Sequence, residues 1–218
     1  MLRAQILLVP LTIISSVFLA SCASYEARPF QTRPASSLVD RYEKDAFAFA
    51  ARLPEDEDYL ERHLGIDPIA YGLLPIEIFL ENRNDTDNFE ILIERASYRL
   101  VDGTELEPVP LDVVLEATRY SGWRSLPAWP LLLVPGMMVL SSVSSANEAM
   151  RDDYAQKVLV DINLPPRSDP VHGVIFFRPT DEDVDLDDVE FRKGTLTLEV
   201  TRRAAQGPGE NFSAQITF

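Results

Sequence analysis

The chain has 218 residues, of which 46% are hydrophobic, and its 20 basic and 35 acidic side chains give a net charge of −15. That length and apolar share are enough for one domain with a substantial core. Nucleic acid and anionic lipid both attract Lys and Arg, so an acidic protein binds poorly to either. We therefore expect no nucleic acid partner and no charge-driven contact with a membrane.

The first residues are predicted to be a signal peptide, residues 1–21, that is removed from the working protein. Arg3 supplies a positive charge, and an apolar run follows that is shorter than the roughly 20 residues of a membrane-spanning helix. The sequence Leu-Ala-Ser-Cys at residues 19–22 resembles the lipobox of bacterial lipoproteins. The resemblance implies signal cleavage between Ser21 and Cys22 and lipid attachment at Cys22.

Cys22 is the only cysteine of the chain, so an internal disulfide is excluded. In an oxidising envelope compartment, lipidation explains a lone thiol at this place better than an incidental buried position does. More than one acyl chain, palmitate among them, anchors a protein stably to a membrane. Ala23 and Ser24, in place of Asp, resemble outer-membrane sorting. We expect a protein anchored in the outer membrane that faces the periplasm.

Residues 22–35 are predicted to be a tether, because Pro29 and Pro34 forbid a continuous helix. Residues 36–63 carry apolar side chains at nearly helical spacing, with acidic residues early in the run. They are predicted to form an N-terminal helical segment that ends before Pro54. The remainder, residues 64–218, is predicted to be one β domain.

The β domain begins with an alternating pattern at residues 76–81, where Ile and Leu share one face and Glu and Phe share the other. In the next strand the apolar phase slips by one residue, which predicts a β-bulge near Glu94 and Arg95. Asp102-Gly103 is a hairpin turn signal. A short helix is expected over residues 111–120.

The second half of the domain is interrupted by an apolar, partly helical insertion at about 123–158. Residues 171–177 then form an apolar run without alternation, which predicts a central strand buried on both faces. Alternation at 196–200 and 212–218 predicts two final strands. Short strands joined by turns, with one interruption, favour a mainly β fold, an immunoglobulin-like β-sandwich with an N-terminal helix and this insertion.

Several of these segments together resemble a known group of sequences. Residues 65–67, 74–82, 102–103 and 170–177, with the insertion punctuated by Pro and Gly, resemble uncharacterised proteobacterial lipoproteins that carry an immunoglobulin-like domain. The likeness covers roughly residues 64–180. It implies an envelope location and a fold, and it implies no activity.

Residues 123–146 of the insertion are the predicted contact surface, because no side chain is charged between Arg124 and Glu148. Prolines interrupt its first half, so a membrane-spanning helix is not expected. Two interpretations remain open: burial across the sandwich, or contact with the bilayer or a partner protein. The residues that would make such a contact are Trp123, Trp129, Leu131, Leu132, Leu133, Met137 and Met138.

Catalytic and metal-binding signatures are not recognisable in this sequence. With His63 and His172 as the only histidines, Ser-His-Asp or Cys-His chemistry and zinc binding lack their usual residues. We interpret His172 as a strand-end residue with its tip near solvent. The acidic run Asp181–Asp188 fails the EF-hand pattern, because Leu186 stands where glycine is needed, and it is interpreted as a solvated loop. We predict no enzyme activity, no metal and no cofactor.

Three classes of function follow from these observations. The favoured class is an envelope lipoprotein that acts as a structural or protein-interaction module, anchored through Cys22. The alternative is a periplasmic carrier or sensor of a small apolar ligand or lipid, for which a deep pocket beside the insertion would be the distinguishing feature. The third class, an enzyme that uses acidic residues, would need two convergent carboxylates in a cleft.

Overall fold

The structure is a computed structural model that divides the chain into two units. It describes residues 25–54, 56–120, 135–180, 184, 186, 192–205 and 208–218, with only the backbone of residues 135–142. One unit comprises Met1–Glu26 and Arg119–Arg151, and the other comprises Ala27–Thr118 and Asp152–Phe218. All the strands given below belong to the second unit.

The described residues form ten strands and three helices. The strands are β1 (Arg41–Lys44), β2 (Phe47–Arg52), β3 (Leu74–Asn82), β4 (Asn88–Ile91), β5 (Ser97–Leu100), β6 (Glu105–Pro108), β7 (Ile162–Leu164), β8 (Val171–Pro179), β9 (Gly194–Arg203) and β10 (Glu210–Thr217). The helices are α1 (Glu57–Leu64), α2 (Leu111–Thr118) and α3 (Pro135–Lys157). Short 3-10 turns occupy Ala35–Ser37, Ile69–Tyr71 and Ile93–Arg95.

The strands belong to one antiparallel sheet that branches at β9. The order is β1-β2-β3-β8-β6-β5-β9-β4-β7, and β10 pairs with β9. One edge of β9 pairs with β5 through residues 194–197 and with β4 through residues 200–203, while β10 occupies the other edge. Side chains of β1 and β10 also meet, since Lys44 Nζ lies 2.7 Å from Glu210 Oε1.

The apolar core lies on one face of the sheet, which we call the inner face. The ring of Phe47 lies 5.1 Å from that of Phe89 and 6.0 Å from that of Phe212, and Tyr98 lies 5.8 Å from Phe177. All of these rings except that of Phe212 are fully buried. Each buried aromatic side chain contributes about 1.5–3 kcal/mol relative to an exposed one, so this face supplies much of the stability.

The opposite face of β2, β3 and β8, which we call the outer face, is covered as well. Residues 27–38, which we call the strap, place Ala35 against Ala48 and Ala50 of β2. The N–H of Arg28 in the strap donates to the carbonyl of Arg62 in α1 over 2.8 Å. The strap and α1 are thereby joined over the outer face.

The predicted helix over residues 36–63 is wrong in its first part. Residues 41–52 form β1 and β2, joined by a turn in which Asp45 and Ala46 have positive φ values of 52° and 67°. Only α1 is helical, with Asp56 as its N-cap and Gly65 as its C-cap. Residues 47–51 are buried throughout, and a strand buried on both faces shows the same continuous apolar content as a buried helix.

The predicted tether, residues 22–35, also differs from the structure where it is described. Ala35 is fully buried, and the N–H of Ser36 donates to Glu81 Oε2 over 3.1 Å. Prolines prevent a helix in this stretch, but they do not prevent an extended segment from packing on a sheet. The strap is therefore part of the domain.

Several other sequence predictions are confirmed at the level of secondary structure. The fold is mainly β, the hairpin turn lies at Asp102 and Gly103 between β5 and β6, and residues 171–177 lie in β8, between β3 and β6. The β-bulge predicted near Glu94 and Arg95 is wrong, because a 3-10 turn at Ile93–Arg95 separates two strands, β4 and β5, at the point where the apolar phase slips. The immunoglobulin-like form of the sheet stays a prediction.

Candidate functional site

An ionic and aromatic cluster lies on the outer face around Glu77, whose side chain is 1% exposed. The strand register places Arg52 of β2 opposite Glu77 of β3, and His172 of β8 opposite Phe79 of β3. Directly opposed residues of paired strands lie on the same face. The register alone therefore brings an arginine, a glutamate and a histidine together under the strap.

Both carboxylate oxygens of Glu77 are engaged by neighbouring side chains. Arg52 Nη2 lies 2.9 Å from Oε1 and 2.7 Å from Oε2, and His172 Nε2 lies 3.3 Å from Oε2. The Tyr59 hydroxyl, supplied by α1, is hydrogen-bonded to the same Arg52 guanidinium. Because removing one partner would leave a buried charge uncompensated, these groups form one interdependent network.

Protonation within this network follows from burial and from its charges. Burial on its own raises the pKa of Glu77, but hydrogen bonds from His172 and Tyr59 and the charge of Arg52 outweigh it, so this pKa lies below its ordinary value. Burial and the nearby Glu77 carboxylate raise the pKa of the Tyr59 hydroxyl. At neutral pH the cluster therefore holds an ionised carboxylate and a protonated phenol.

The only two histidines of the chain meet beneath Phe30 of the strap. The Phe30 ring lies 5.7 Å from the His63 ring and 4.8 Å from the His172 ring, and Phe79 stacks on His172 at 4.1 Å. The His172 side chain is 3% exposed, so the prediction of a tip near solvent is wrong. β8 is covered on both faces at this point, which removes the solvent that a strand end would otherwise meet.

Each of these imidazoles keeps one nitrogen without a hydrogen bond. Nδ1 of His63 and Nδ1 of His172 are buried and lack a partner in the described part of the chain. Burial lowers the pKa of His63, and a hydrogen bond with the backbone of Arg28 offsets part of this effect, so the ring is neutral at neutral pH. Unpaired buried polar atoms are uncommon in folded proteins and call for an explanation.

A small cavity of about 190 Å³, which we call the strap pocket, lies at these histidines. It is bounded by the strap, α1, β2, β3 and β8. Its walls combine guanidinium groups, imidazoles and aromatic rings. The residues that line it are Gln31, Arg33, Leu38, Arg52, Tyr59, His63, Phe79 and His172.

A second and larger depression, of about 780 Å³, lies at the point where the chain leaves the sheet for the insertion and returns. We call it the insertion groove. Its walls are residues 93–97, residues 105–111 and residues 158–161. β5 and β6 pair at Tyr98–Leu106 and Arg99–Glu105, and Glu105 and Leu106 of these pairs line the groove.

The insertion groove combines an apolar lining with acidic residues. Val160 is 65% exposed and lies beside the half-buried Leu111 and Leu159. Glu94 and Glu107 also line the groove, and neither has an ion-pair partner within the described ranges. This combination of uncovered apolar surface and unpaired carboxylates suits an apolar ligand that carries positive charge.

The predicted contact surface and the predicted lipid site fall largely outside the described residues. This holds for Ser21, Cys22, Trp123, Trp129, Leu131, Leu132 and Leu133. Met137 and Met138 belong to α3, but their side chains are outside the described residues too. The contact surface at residues 123–146 and the lipid site at Cys22 therefore stay predictions.

Neither a membrane-spanning helix nor a metal-binding cluster occurs among the residues that the structure describes. They contain no helix that is both long and apolar enough to cross a membrane. They also contain no group of three or more His, Cys, Asp or Glu side chains with the geometry to hold a metal ion. Most of the acidic run Asp181–Asp188 lies outside the described residues, and the part that is described includes the buried Leu186.

The Glu77 cluster was not predicted from the sequence, because alternation in β3 groups Glu77 with Phe79 on one face and does not indicate what covers that face. One signal was available: Phe79 shares that face with Glu77, and β8 is apolar on both of its faces. The separation of the two histidines along the chain also concealed their proximity in space.

Comparisons with protein-family models, with curated proteins and with solved structures find no match to this chain.

Proposed function

We propose that this chain is a lipid-anchored envelope protein whose β domain binds an extended segment of a partner protein in the insertion groove. The observation that carries the proposal is the groove itself, which joins exposed apolar side chains to unpaired carboxylates. The proposed anchor is Cys22, with residues 1–21 as the removed signal peptide. The proposed location is the outer membrane, facing the periplasm.

The occupant that we propose is a peptide segment with alternating apolar and basic residues. Exposed Val160 offers an apolar contact, and Glu94 and Glu107 offer charges that are not already neutralised. The whole chain has a net charge of −15, which steers basic partners toward it and repels acidic ones. The volume of about 780 Å³ is within the usual range for ligand sites.

The strap supports the anchoring part of the proposal. Arg28 is hydrogen-bonded to α1 and lies six residues after Cys22. An extended chain of that length spans at most about 20 Å. A lipid at Cys22 would therefore hold the strap close to the membrane surface, where a short linker raises the effective concentration of a membrane-bound partner.

The immunoglobulin-like sandwich is part of the same proposal. The division of β9 between β5 and β4 supports it, because strands that change partners along their length are typical of packed sheets.

The hydrogen bonds of Glu77 support a non-enzymatic role. Both of its carboxylate oxygens already accept hydrogen bonds from Arg52 or His172. A general acid or base needs an accessible carboxyl group.

The alternative occupant of the insertion groove is a small apolar molecule or lipid. The size of the groove favours this alternative as much as it favours a peptide. The two occupants differ in their dependence on charge. A lipid tail or other hydrocarbon gains nothing from Glu94 and Glu107, whereas a basic peptide does.

Peptide binding by the purified mature protein tests the groove. A fluorescent nonapeptide of alternating Val and Lys is expected to bind, and its affinity is expected to fall as salt rises. The double reversal Glu94→Lys with Glu107→Lys, and separately Val160→Arg, should each weaken binding at least tenfold, as measured by fluorescence anisotropy. The double reversal replaces two attractions of about 0.5–1 kcal/mol each with two repulsions of similar size, which accounts for an effect of that order.

Matched controls are available at exposed positions outside the groove. Val39 is 90% exposed, and Asp40 and Glu61 are exposed acids, so Val39→Arg and the double reversal Asp40→Lys with Glu61→Lys should leave affinity unchanged. Equal binding of a Val-Glu peptide would overturn the proposal. Binding of a hydrocarbon fluorophore, with both peptides inert, would replace it by the alternative.

The anchor has a separate test in the intact cell. Cys22→Ala is expected to move the protein from the membrane fraction to the soluble fraction while its thermal unfolding stays the same. Mass spectrometry of the unsubstituted protein should show acyl groups on residue 22. A parent protein without acyl groups would refute the anchor and leave the groove proposal standing.

A further inference from the structure

The strap pocket combines features that the proposed function does not use. It is lined by two guanidinium groups, two imidazoles and two aromatic rings, in a volume of about 190 Å³. A water molecule takes about 30 Å³, so this space holds about six waters. That is room for a small organic molecule.

The two imidazoles define what such a molecule must donate. Nε2 of His172 faces a carboxylate oxygen of Glu77, so the hydrogen-bond network assigns the ring proton to Nε2 and leaves a lone pair on Nδ1 when the ring is neutral. His63 is neutral at neutral pH, so one of its two ring nitrogens is an acceptor. The Nδ1 atoms of both rings are buried without a partner in the described part of the chain, and we assign each of them as an acceptor.

Arg33 defines what the molecule must accept. Its side chain lines the pocket, is exposed, and has no carboxylate partner among the residues that the structure describes. Arg52 differs, because Glu77 already occupies its guanidinium group. A free guanidinium at the pocket recognises a carboxylate through two parallel hydrogen bonds.

Two other occupants fit this chemistry less well. An inorganic phosphate presents mainly acceptor oxygens, which would face the bare nitrogens and the Glu77 carboxylate. A metal ion would find two imidazole nitrogens without a third ligand in the described part of the chain, beside the positive charges of Arg33 and Arg52. Hydroxyl groups satisfy both nitrogens without adding charge.

We propose that the strap pocket binds a small hydroxycarboxylate. Its carboxylate pairs with Arg33, and its hydroxyl groups donate to Nδ1 of His63 and Nδ1 of His172. The aromatic walls formed by Tyr59 and Phe79 pack against its carbon skeleton. The bound molecule would also fasten the strap, because Arg33 belongs to the strap and the histidines belong to α1 and β8.

Three related probes separate the contributions of the two groups. Glycerate carries two hydroxyls and a carboxylate, glycerol carries hydroxyls alone, and propionate carries a carboxylate alone. In calorimetric titrations of the mature protein, glycerate is expected to bind at least tenfold more tightly than either of the other probes. Nitrogen NMR of the imidazoles should show that both Nδ1 signals shift on addition of glycerate.

Variants then locate the site on the protein. Arg33→Gln is expected to weaken glycerate binding at least tenfold without unfolding, because this side chain is exposed and unpaired. Arg203→Gln, at another exposed arginine, is the matched control and should leave binding unchanged. His63→Phe keeps an aromatic ring against Phe30 and should remove the nitrogen shift at residue 63 along with part of the affinity.

Three results would overturn the proposal. They are the absence of binding by all three probes at millimolar concentration, equal binding of all three, and unchanged binding by Arg33→Gln. The first result would mean that ordered water alone satisfies the two imidazoles. The outcome is independent of the peptide experiment, because no residue lines both the strap pocket and the insertion groove.

Discussion

Both faces of the sheet are buried at β2, β3 and β8, but different interactions stabilise each face. The inner face joins the rings of Phe47, Phe89 and Phe212, and its stability comes from the removal of apolar surface from water. The outer face joins Arg52, Glu77 and His172 beneath the strap, and its stability depends on ionisation. Equal burial therefore does not mean equal sensitivity to substitution or to pH.

The largest expected effect comes from the inner face. Phe89→Ala removes a fully buried ring that contacts two other aromatic rings, and it should lower the free energy of unfolding by about 3–5 kcal/mol. Urea unfolding at pH 7 measures the change. Phe89→Leu keeps much of the side-chain volume, so it should lower the free energy of unfolding by clearly less. An unchanged midpoint for Phe89→Ala would show that this face is not the main core.

The stability that the outer face contributes should depend on pH. Because the pKa of Glu77 is lower in the folded protein than in the unfolded chain, its stabilisation is present above about pH 4.5 and is lost as the pH falls through the folded pKa. The pKa of His63 is also lowered, so its contribution is present above about pH 6.5 and is lost as the pH falls through its folded value. Urea midpoints between pH 7 and pH 3 should therefore fall.

Glu77→Gln sharpens this prediction. The variant keeps the size of the side chain. It should lower the free energy of unfolding by about 1–3 kcal/mol at pH 7, because the charged partners of Glu77 lose their counter-charge. Its stability should then fall less steeply than that of the parent between pH 5 and pH 3. Glu199→Gln, at an exposed carboxylate, should follow the parent throughout. If the stability of Glu77→Gln and that of the parent fell in parallel with pH, the role given to Glu77 would be refuted.

The smallest effect is expected for the strap. Phe30→Ala removes a half-buried ring that packs against both histidines, and it should lower the free energy of unfolding by about 1–2 kcal/mol. Hydrogen exchange should accelerate at the amides of Arg28 and Ser36, which are hydrogen-bonded in the strap, while the amides of β8 stay protected. Phe30→Leu should give a weaker effect in the same direction. Unchanged exchange at Arg28 would mean that Phe30 does not hold the strap.

Most strands and turns of this fold were predictable from the sequence because their signals are local. Asp102 and Gly103 form a turn that their own backbone preferences favour, and Gly103 has a φ of 95°. Alternation identified β9 and β10, and the apolar run identified β8. The error at β1 and β2 arose because an apolar segment buried on both faces carries no period that separates strand from helix.

What the sequence alone determined is which residues share a face of each strand, because the period of a strand is two. It did not determine whether that face meets water or another part of the chain. Only the tertiary structure decided that the strap and α1 cover β3, which buries Glu77 and brings His63 next to His172. Burial of a polar face depends on distant segments, and their docking is set by the sum of many contacts rather than by the residues of the strand itself.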